Sequence, residues 1–131
     1  MIGIDTNVLV RYLTLDDPEQ VQRVDRLVDH AERLEEALHI DAIVLCEVVW
    51  VLRSVYRLSR ESIADALEKV IDARQFSIED RDAVRRALES YRRRAGDFAD
   101  YLIGERNRRR GCDTTRTFDT RLVGSELFEA V

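Results

Sequence analysis

The sequence predicts an α/β fold: a single domain over residues 1–131, with a central parallel sheet of four to five short strands flanked by helices. Short apolar or β-branched runs alternate with longer stretches of helical periodicity, a pattern typical of strands that are linked by crossover helices. Of the residues, 45% are hydrophobic, 36% are charged and one is proline. No repeat, low-complexity segment or linker divides the chain, so we expect one domain.

The first half of the chain begins with an apolar run at residues 1–4, which predicts a strand buried on both faces. Further short strands are expected at residues 38–40 and 76–78. The helix that follows Asp41 is apolar nearly all round, so we expect it to be largely buried, with Trp50 in the core. Helices are expected to begin at or directly after Val8, Asp17, Asp41 and Ser59.

The second half of the chain predicts two helices, at residues 80–94 and 98–110. Gly111 should end the second of these, because glycine favours the backbone conformation found after a helix C-terminus. The threonine-rich segment 114–118 predicts a fourth strand. Residues 127–131 are the candidate for a fifth.

The composition also excludes several classes of protein. The sequence lacks a run of about 18 apolar residues, so it predicts no membrane span. It also lacks a basic segment followed by an apolar one, so it predicts no secretory signal. We therefore expect a cytoplasmic protein, with Cys46 and Cys112 as reduced, buried thiols. The net charge of −5 does not favour nucleic acid, although every basic residue except Lys69 is arginine, which suits phosphate contacts.

Two acids follow predicted strands directly, at the carboxyl ends where parallel sheets bind their ligands. Asp5 comes after the first strand, and Asp119 comes after the threonine-rich strand. The alternative for each is a solvated carboxylate that caps a following helix.

Glu47 is the only charged residue within 42–52, and its neighbours three and four residues away are all apolar. Burial of a single carboxylate costs several kcal/mol unless the group is paired or binds a metal ion. Glu47 is therefore a candidate site residue, and the alternative is a buried ion pair with Arg11 or Arg53.

Asp97 and Asp100 lie at the start of another apolar helix, three residues apart and on one face, where their charges repel. A bound cation would remove this repulsion. Helix capping explains Asp97 equally well, but it explains Asp100 poorly.

Asp5, Glu47, Asp100 and Asp119 come from four separate elements, and we expect them to converge at one edge of the sheet. Carboxylate oxygens without cysteine or convergent histidine select a hard divalent cation, Mg²⁺ or Mn²⁺. Such a cation commonly serves phosphate chemistry.

Four short motifs, in this order, carry a resemblance to a known family: 4–7 (Ile-Asp-Thr-Asn), Glu47 in its apolar helix, 96–103 and 117–119. They resemble the PIN-domain ribonucleases, and the length and opening segment are most similar to VapC-type toxins of toxin–antitoxin systems. The resemblance covers essentially the whole chain.

The resemblance implies an endoribonuclease that depends on Mg²⁺ or Mn²⁺ and hydrolyses RNA phosphodiester bonds with metal-activated water. Asp5, Glu47, Asp100 and Asp119 match the family's catalytic acids, and Asp5, Asp100 and Asp119 are the implied metal ligands. The accessory positions are Asp97, Thr6, Asn7 and Thr117. The family pattern also implies a homodimer and a cognate antitoxin that inhibits the enzyme.

Two arginine clusters bracket the helix that carries Asp97 and Asp100, and they are candidates for contacts with RNA phosphates. The alternative is a solvated helix face or intrahelical ion pairs. The clusters consist of Arg92, Arg93, Arg94, Arg106, Arg108, Arg109 and Arg110.

Other phosphate-handling folds lack their required residues. A receiver domain needs paired acids after its first strand and a late lysine, and a haloacid-type phosphatase needs a second aspartate where Asn7 stands. No P-loop motif is present. The remaining alternative is a catalytically idle PIN fold that serves as a binding module for RNA or a protein partner.

Overall fold

A computed structural model describes residues 1–131, and the elements follow one another in the predicted order. The chain forms two units, residues 1–79 and residues 80–131. Each unit contains its own small parallel sheet.

The sheet of the first unit has three strands, β1 (Ile2–Gly3), β2 (Leu38–Ile40) and β3 (Phe76–Ile78), in the order β1-β2-β3. Leu38 on the central strand lies opposite Ile2 on one side and Phe76 on the other. Leu38 and Ile40 are fully buried, as expected for a strand covered on both faces.

The helices of the first unit each begin after a polar residue whose side chain accepts a hydrogen bond from a backbone N–H of the first turn. The sequence predicts these starts for the second, third and fourth helices, whereas the first helix begins at Thr6 and not at Val8, because Asp5 caps it. The cap residues are Asp5, Asp17, Asp41 and Ser59. The helices are α1 (Thr6–Thr14), α2 (Pro18–Arg33), α3 (Ala42–Ser54) and α4 (Arg60–Asp72).

Helix α3 is less buried than its sequence predicts. Leu45 and Leu52 lie in the core, but Ile43 is 67% exposed and Trp50 is 56% exposed, so the expectation of Trp50 in the core is wrong. Ile43, Glu47 and Trp50 follow one another at spacings of four and three residues, which places them on one stripe of the helix. This stripe is open.

The second unit contains α5 (Arg81–Arg93) and α6 (Phe98–Arg109), followed by the parallel pair β4 (Thr115–Thr117) and β5 (Phe128–Ala130). Gly111 has a φ of +96° just beyond the end of α6, the left-handed conformation that was predicted there. Tight packing joins α6 to β5, because a Cβ atom on Gly104 would lie 2.9 Å from the Phe128 ring.

The predicted α/β class, the parallel strands and the five strand positions are confirmed. The strands pair as a sheet of three and a sheet of two. No helix is long and apolar enough to cross a membrane. Both cysteines are free thiols, but Cys46 is only half-buried and Cys112 is exposed, so the expectation of two buried thiols is wrong.

Candidate active site

In the first unit, Asp5 follows β1 after one residue and lies at the start of α1. Its Oδ1 accepts a hydrogen bond of 3.1 Å from the backbone N–H of Val8, and the side chain remains exposed. Asp5 therefore caps a helix and at the same time presents a carboxylate at the carboxyl end of a strand.

Thr6 links Asp5's segment to the second acid of this unit. Its hydroxyl donates a hydrogen bond to Oε2 of Glu47, across the contact between α1 and α3. Asn7 is exposed next to Thr6, where it lines a cleft with Arg11 and Arg23. The accessory position at Thr6 thus has a physical role, since it orients the Glu47 carboxylate.

The expectation that Glu47 is buried is wrong, because its residue is exposed on the open stripe of α3. The alternative of a buried ion pair with Arg11 or Arg53 is wrong for the same reason, since Glu47 is not buried. Arg11 instead donates to Asp16 at 3.1 Å and to the Tyr56 hydroxyl at 2.8 Å. Exposure spares Glu47 most of the cost of desolvation, and the neutral Thr6 hydroxyl orients its side chain.

The second unit carries the other three acids. Asp97 lies at the N-cap position of α6, but its side chain makes no capping hydrogen bond. Asp100 is in the first turn of α6 and is half-buried. Asp119 follows β4, and its backbone N–H donates a 3.0 Å hydrogen bond to the Thr117 hydroxyl. Thr117 thereby holds the turn that presents Asp119.

The electrostatics of these acids differ. Burial raises the pKa of Asp100, and the negative charges of Asp97 and Asp119 raise it further. Asp119 experiences the opposite effect, because hydrogen bonds from Arg121 lower its pKa. The donor set offered by Asp97, Asp100 and Asp119 consists entirely of carboxylate oxygens, and the repulsion around Asp100 is of the kind that a hard cation relieves.

Sequence reasoning missed Arg121, which binds Asp119 with both nitrogens of its guanidinium fork. Nη2 lies 2.7 Å from Oδ2 of Asp119, and Nε lies 3.1 Å from Oδ1. The separation of two residues was a usable signal, because it places both side chains in one turn. A second missed residue is Glu105, which is 4% exposed and pairs with Arg108 at 3.0 Å.

The predicted RNA-binding arginines are mostly at the surface, and several are neutralised by neighbouring acids. Arg93 pairs with Glu89, and Arg108 pairs with Glu105. Arg106 and Arg109 both form ion pairs with Asp80. The alternative of intrahelical ion pairs therefore holds for Arg93 and Arg108, whereas Arg106 and Arg109 pair with an acid outside their own helix. The exposed members of the clusters are Arg92, Arg93, Arg94, Arg108, Arg109 and Arg110.

No group of three or more His, Cys, Asp or Glu side chains is arranged so that it could hold a metal ion. Within the first unit the structure brings together Asp5, Thr6 and Glu47, and within the second it brings together Asp97, Asp100 and Asp119. The convergence of the two sets stays a prediction.

The chain matches the model of the PIN domain family over residues 2–124, and it belongs to that family. The matched range contains all the acids described above. Among characterised proteins, the chain is similar to a VapC ribonuclease from Aquifex aeolicus (strain VF5). The two sequences are 26% identical over 118 residues, which cover 90% of this chain and 87% of the relative.

Proposed function

We propose that the protein is an endoribonuclease that depends on Mg²⁺ or Mn²⁺ and acts as the toxin of a type II, VapBC-like toxin–antitoxin system. The observation that carries this proposal is the PIN-domain match over residues 2–124, which includes every candidate acid. The similarity to a VapC ribonuclease over 90% of the chain supports the choice of RNA as substrate.

The chemistry of the candidate acids suits a hard divalent cation, because they offer only carboxylate oxygens, although no three of them are arranged around a common metal position. In this proposal Asp5, Asp100 and Asp119 hold the cation, and Asp97 adds negative charge beside them. When bound, the cation supplies Lewis-acid polarisation of phosphoryl oxygens and lowers the pKa of a bound water.

The chain's own residues orient the reacting groups. The Thr6 hydroxyl holds Oε2 of Glu47, which leaves Oε1 of the same carboxylate to accept a proton from the attacking water. Thr117 holds the backbone at Asp119. Exposed arginines of the two clusters would contact RNA phosphates on either side of the cleaved bond, and these contacts position RNA without reading its sequence.

A homodimer, a cognate antitoxin and a cytoplasmic setting complete the proposal. They are supported by the resemblance to VapC-type toxins. The inhibitory partner matters for any assay, because protein that carries a bound antitoxin would be inactive for a reason unrelated to its active site.

The experiment that tests the proposal is cleavage of a pool of labelled cellular RNA with Mg²⁺, with Mn²⁺ and with a chelator. Asp5→Asn should lose at least about a hundredfold in cleavage rate, because the amide removes a charged ligand. Asp17→Asn is the matched control, since Asp17 caps α2 through a 3.1 Å hydrogen bond just as Asp5 caps α1. Asparagine is an equally good N-cap, so both variants should fold normally.

A catalytically idle PIN fold that binds RNA or a protein is the second candidate. One observation favours it, namely that Arg121 already neutralises Asp119. Binding of RNA without cleavage, by folded protein that is free of any partner, would select this second function. Discrete cuts that require the metal and vanish only in Asp5→Asn would reject it.

A further inference from the structure

The guanidinium of Arg121 lies close to two of the candidate acids of the second unit, Asp119 and Asp97. Nη2 of Arg121 lies 2.7 Å from Oδ2 of Asp119 and 4.0 Å from Oδ2 of Asp97. The backbone N–H of Arg121 donates to Oδ1 of Asp119 at 2.9 Å. Both oxygens of Asp119, a proposed metal ligand, are thus engaged by a residue two positions along the chain.

This ion pair is the main electrostatic interaction of both partners. Hydrogen bonds from Arg121 lower the pKa of Asp119, and the same contacts raise the pKa of Arg121. The charge of Arg121 also acts on Asp100, whose pKa it lowers against the larger effects of burial and of Asp97. Arg121 therefore does part of what a bound cation would do, since it offsets repulsion among three carboxylates.

We propose that Arg121 is a resident counter-ion that competes with the divalent cation for the oxygens of Asp119, and that its side chain leaves Asp119 when the cation binds. This inference rests on the proposed metal-dependent function. It names Arg121 as a residue that sets the affinity of the site for its cation.

The position of Arg121 makes this exchange feasible. Its side chain is 49% exposed, so the guanidinium can rotate into solvent without opening the core. Once released, it remains a positive charge beside the site and a bidentate donor for an RNA phosphate. A phosphate that draws Arg121 away from Asp119 would favour cation binding, so cation and substrate should bind with positive coupling.

The test is the affinity for Mn²⁺ alone, measured by calorimetry on wild-type protein and on Arg121→Gln. Removal of a unit charge within about 4 Å of a ligand should tighten Mn²⁺ binding by about fivefold or more, since that is the effect of such a charge even in water. Arg116→Gln is the matched control: Arg116 lies in the same unit, is exposed and pairs with Glu129 at 3.0 Å. This control removes the same net charge from an ion pair with an acid outside the candidate site, and its Mn²⁺ affinity should stay within about twofold of wild type.

Arg121→Lys supplies a second measurement if Arg121→Gln does not fold. Lysine keeps the positive charge but cannot donate two parallel hydrogen bonds to a carboxylate. The Mn²⁺ affinity of Arg121→Lys should therefore lie between those of wild type and Arg121→Gln. Equal affinities of Arg121→Gln and Arg116→Gln, weaker binding by Arg121→Gln, or no Mn²⁺ binding by any variant would overturn the proposal.

RNA cleavage by the same wild-type preparation separates the two proposals. Cleavage together with unchanged Mn²⁺ affinity in Arg121→Gln would remove the role of Arg121 and leave the nuclease intact. Tighter Mn²⁺ binding by Arg121→Gln without any cleavage by wild type would support the counter-ion and reject the nuclease.

Discussion

The Glu47 carboxylate is held by a single hydroxyl, that of Thr6, across the contact between α1 and α3. No third, charged residue takes part in this contact, so the orientation of the Glu47 side chain depends on one neutral donor. Asp5 lies next to Thr6 in the chain and is fixed separately by its hydrogen bond with Val8. The two acids of the first unit are therefore positioned by different interactions and can be perturbed independently.

Thr6→Val should lower the RNA cleavage rate about tenfold, because a hydrogen bond to a charged group contributes about 1.5 kcal/mol. Valine keeps the shape of threonine and removes only the donor. Thr6→Ser restores the hydroxyl and should restore most of the rate. A Thr6→Val enzyme with the wild-type kcat/KM would show that this hydrogen bond does not orient a reacting group.

The alternative that Asp5 caps a helix is confirmed, because capping is a local property that the sequence shows, whereas its role as a site residue stays a prediction. The predicted burial of Glu47 is wrong for a non-local reason. Apolar neighbours indicate burial only if they are buried themselves, and Ile43 and Trp50 lie exposed on the same stripe. Which stripe of an all-apolar helix faces solvent is decided by its partners, and these are not local in sequence.

At the scale of elements, α3 is the clearest case of two faces with different environments. Leu45 is 0% exposed, whereas Trp50, five residues later, projects from the open stripe. Leu45→Ala should therefore lower the free energy of unfolding by about 2–5 kcal/mol, as expected for a large core residue. Trp50→Ala should cost less than about 1 kcal/mol, since an exposed side chain leaves no cavity.

Urea unfolding of the two variants compares both faces within one helix. Trp50 is the only tryptophan, so Trp50→Ala has no tryptophan fluorescence to report unfolding. Unfolding of both variants should therefore be followed by their circular dichroism signal. If Trp50→Ala lowered the free energy of unfolding as much as Leu45→Ala does, Trp50 would lie in a packed interior, contrary to the structure.

A polar network joins the C-terminal end of α1 to the segment after α3. The Tyr56 hydroxyl donates a 2.6 Å hydrogen bond to Asp16 and accepts one of 2.8 Å from Arg11. The hydrogen bond from Tyr56 is the main reason that the pKa of Asp16 lies below its ordinary value of 3.8. The network therefore contributes stability that depends on an ionised Asp16.

Tyr56→Phe should destabilise the protein at neutral pH and have a smaller effect at low pH. A carboxylate whose pKa is lower when folded contributes stability that is fully present above the unfolded pKa of 3.8 and is lost as the pH falls through the folded value. Tyr12→Phe is the control, because the Tyr12 hydroxyl accepts from the neutral side chain of Gln75 at 3.1 Å. A pH-independent effect of Tyr56→Phe would contradict this account.

At the scale of the whole molecule, the order of elements follows from local patterns, but their pairing does not. The five strands are two or three residues long, and each is marked by apolar or β-branched residues that sequence reasoning detects. Strands this short form few ladder hydrogen bonds, and they divide into a sheet of three and a sheet of two. An arrangement of this kind has no signature in a single sequence.

Charge is another property of the whole chain. The net charge of −5 predicts weak attraction for RNA, and at least four arginines of the candidate RNA-binding clusters are paired with acids. Affinity for RNA should therefore depend on the divalent cation as well as on free arginines, because the cation offsets part of the negative charge of the acids. Arg121 would then couple the binding of the cation to the binding of RNA.

The central claim, that Asp100 acts in a metal-dependent nuclease, is tested most directly through Asp100→Asn. Asp82→Asn is the matched control, because each residue is the acid in the first turn of a helix of the second unit. With Mn²⁺ and labelled cellular RNA, the account predicts discrete cuts by wild type and Asp82→Asn, and none by Asp100→Asn or in chelator. Equal cleavage by Asp100→Asn, or cuts that persist in chelator, would contradict it.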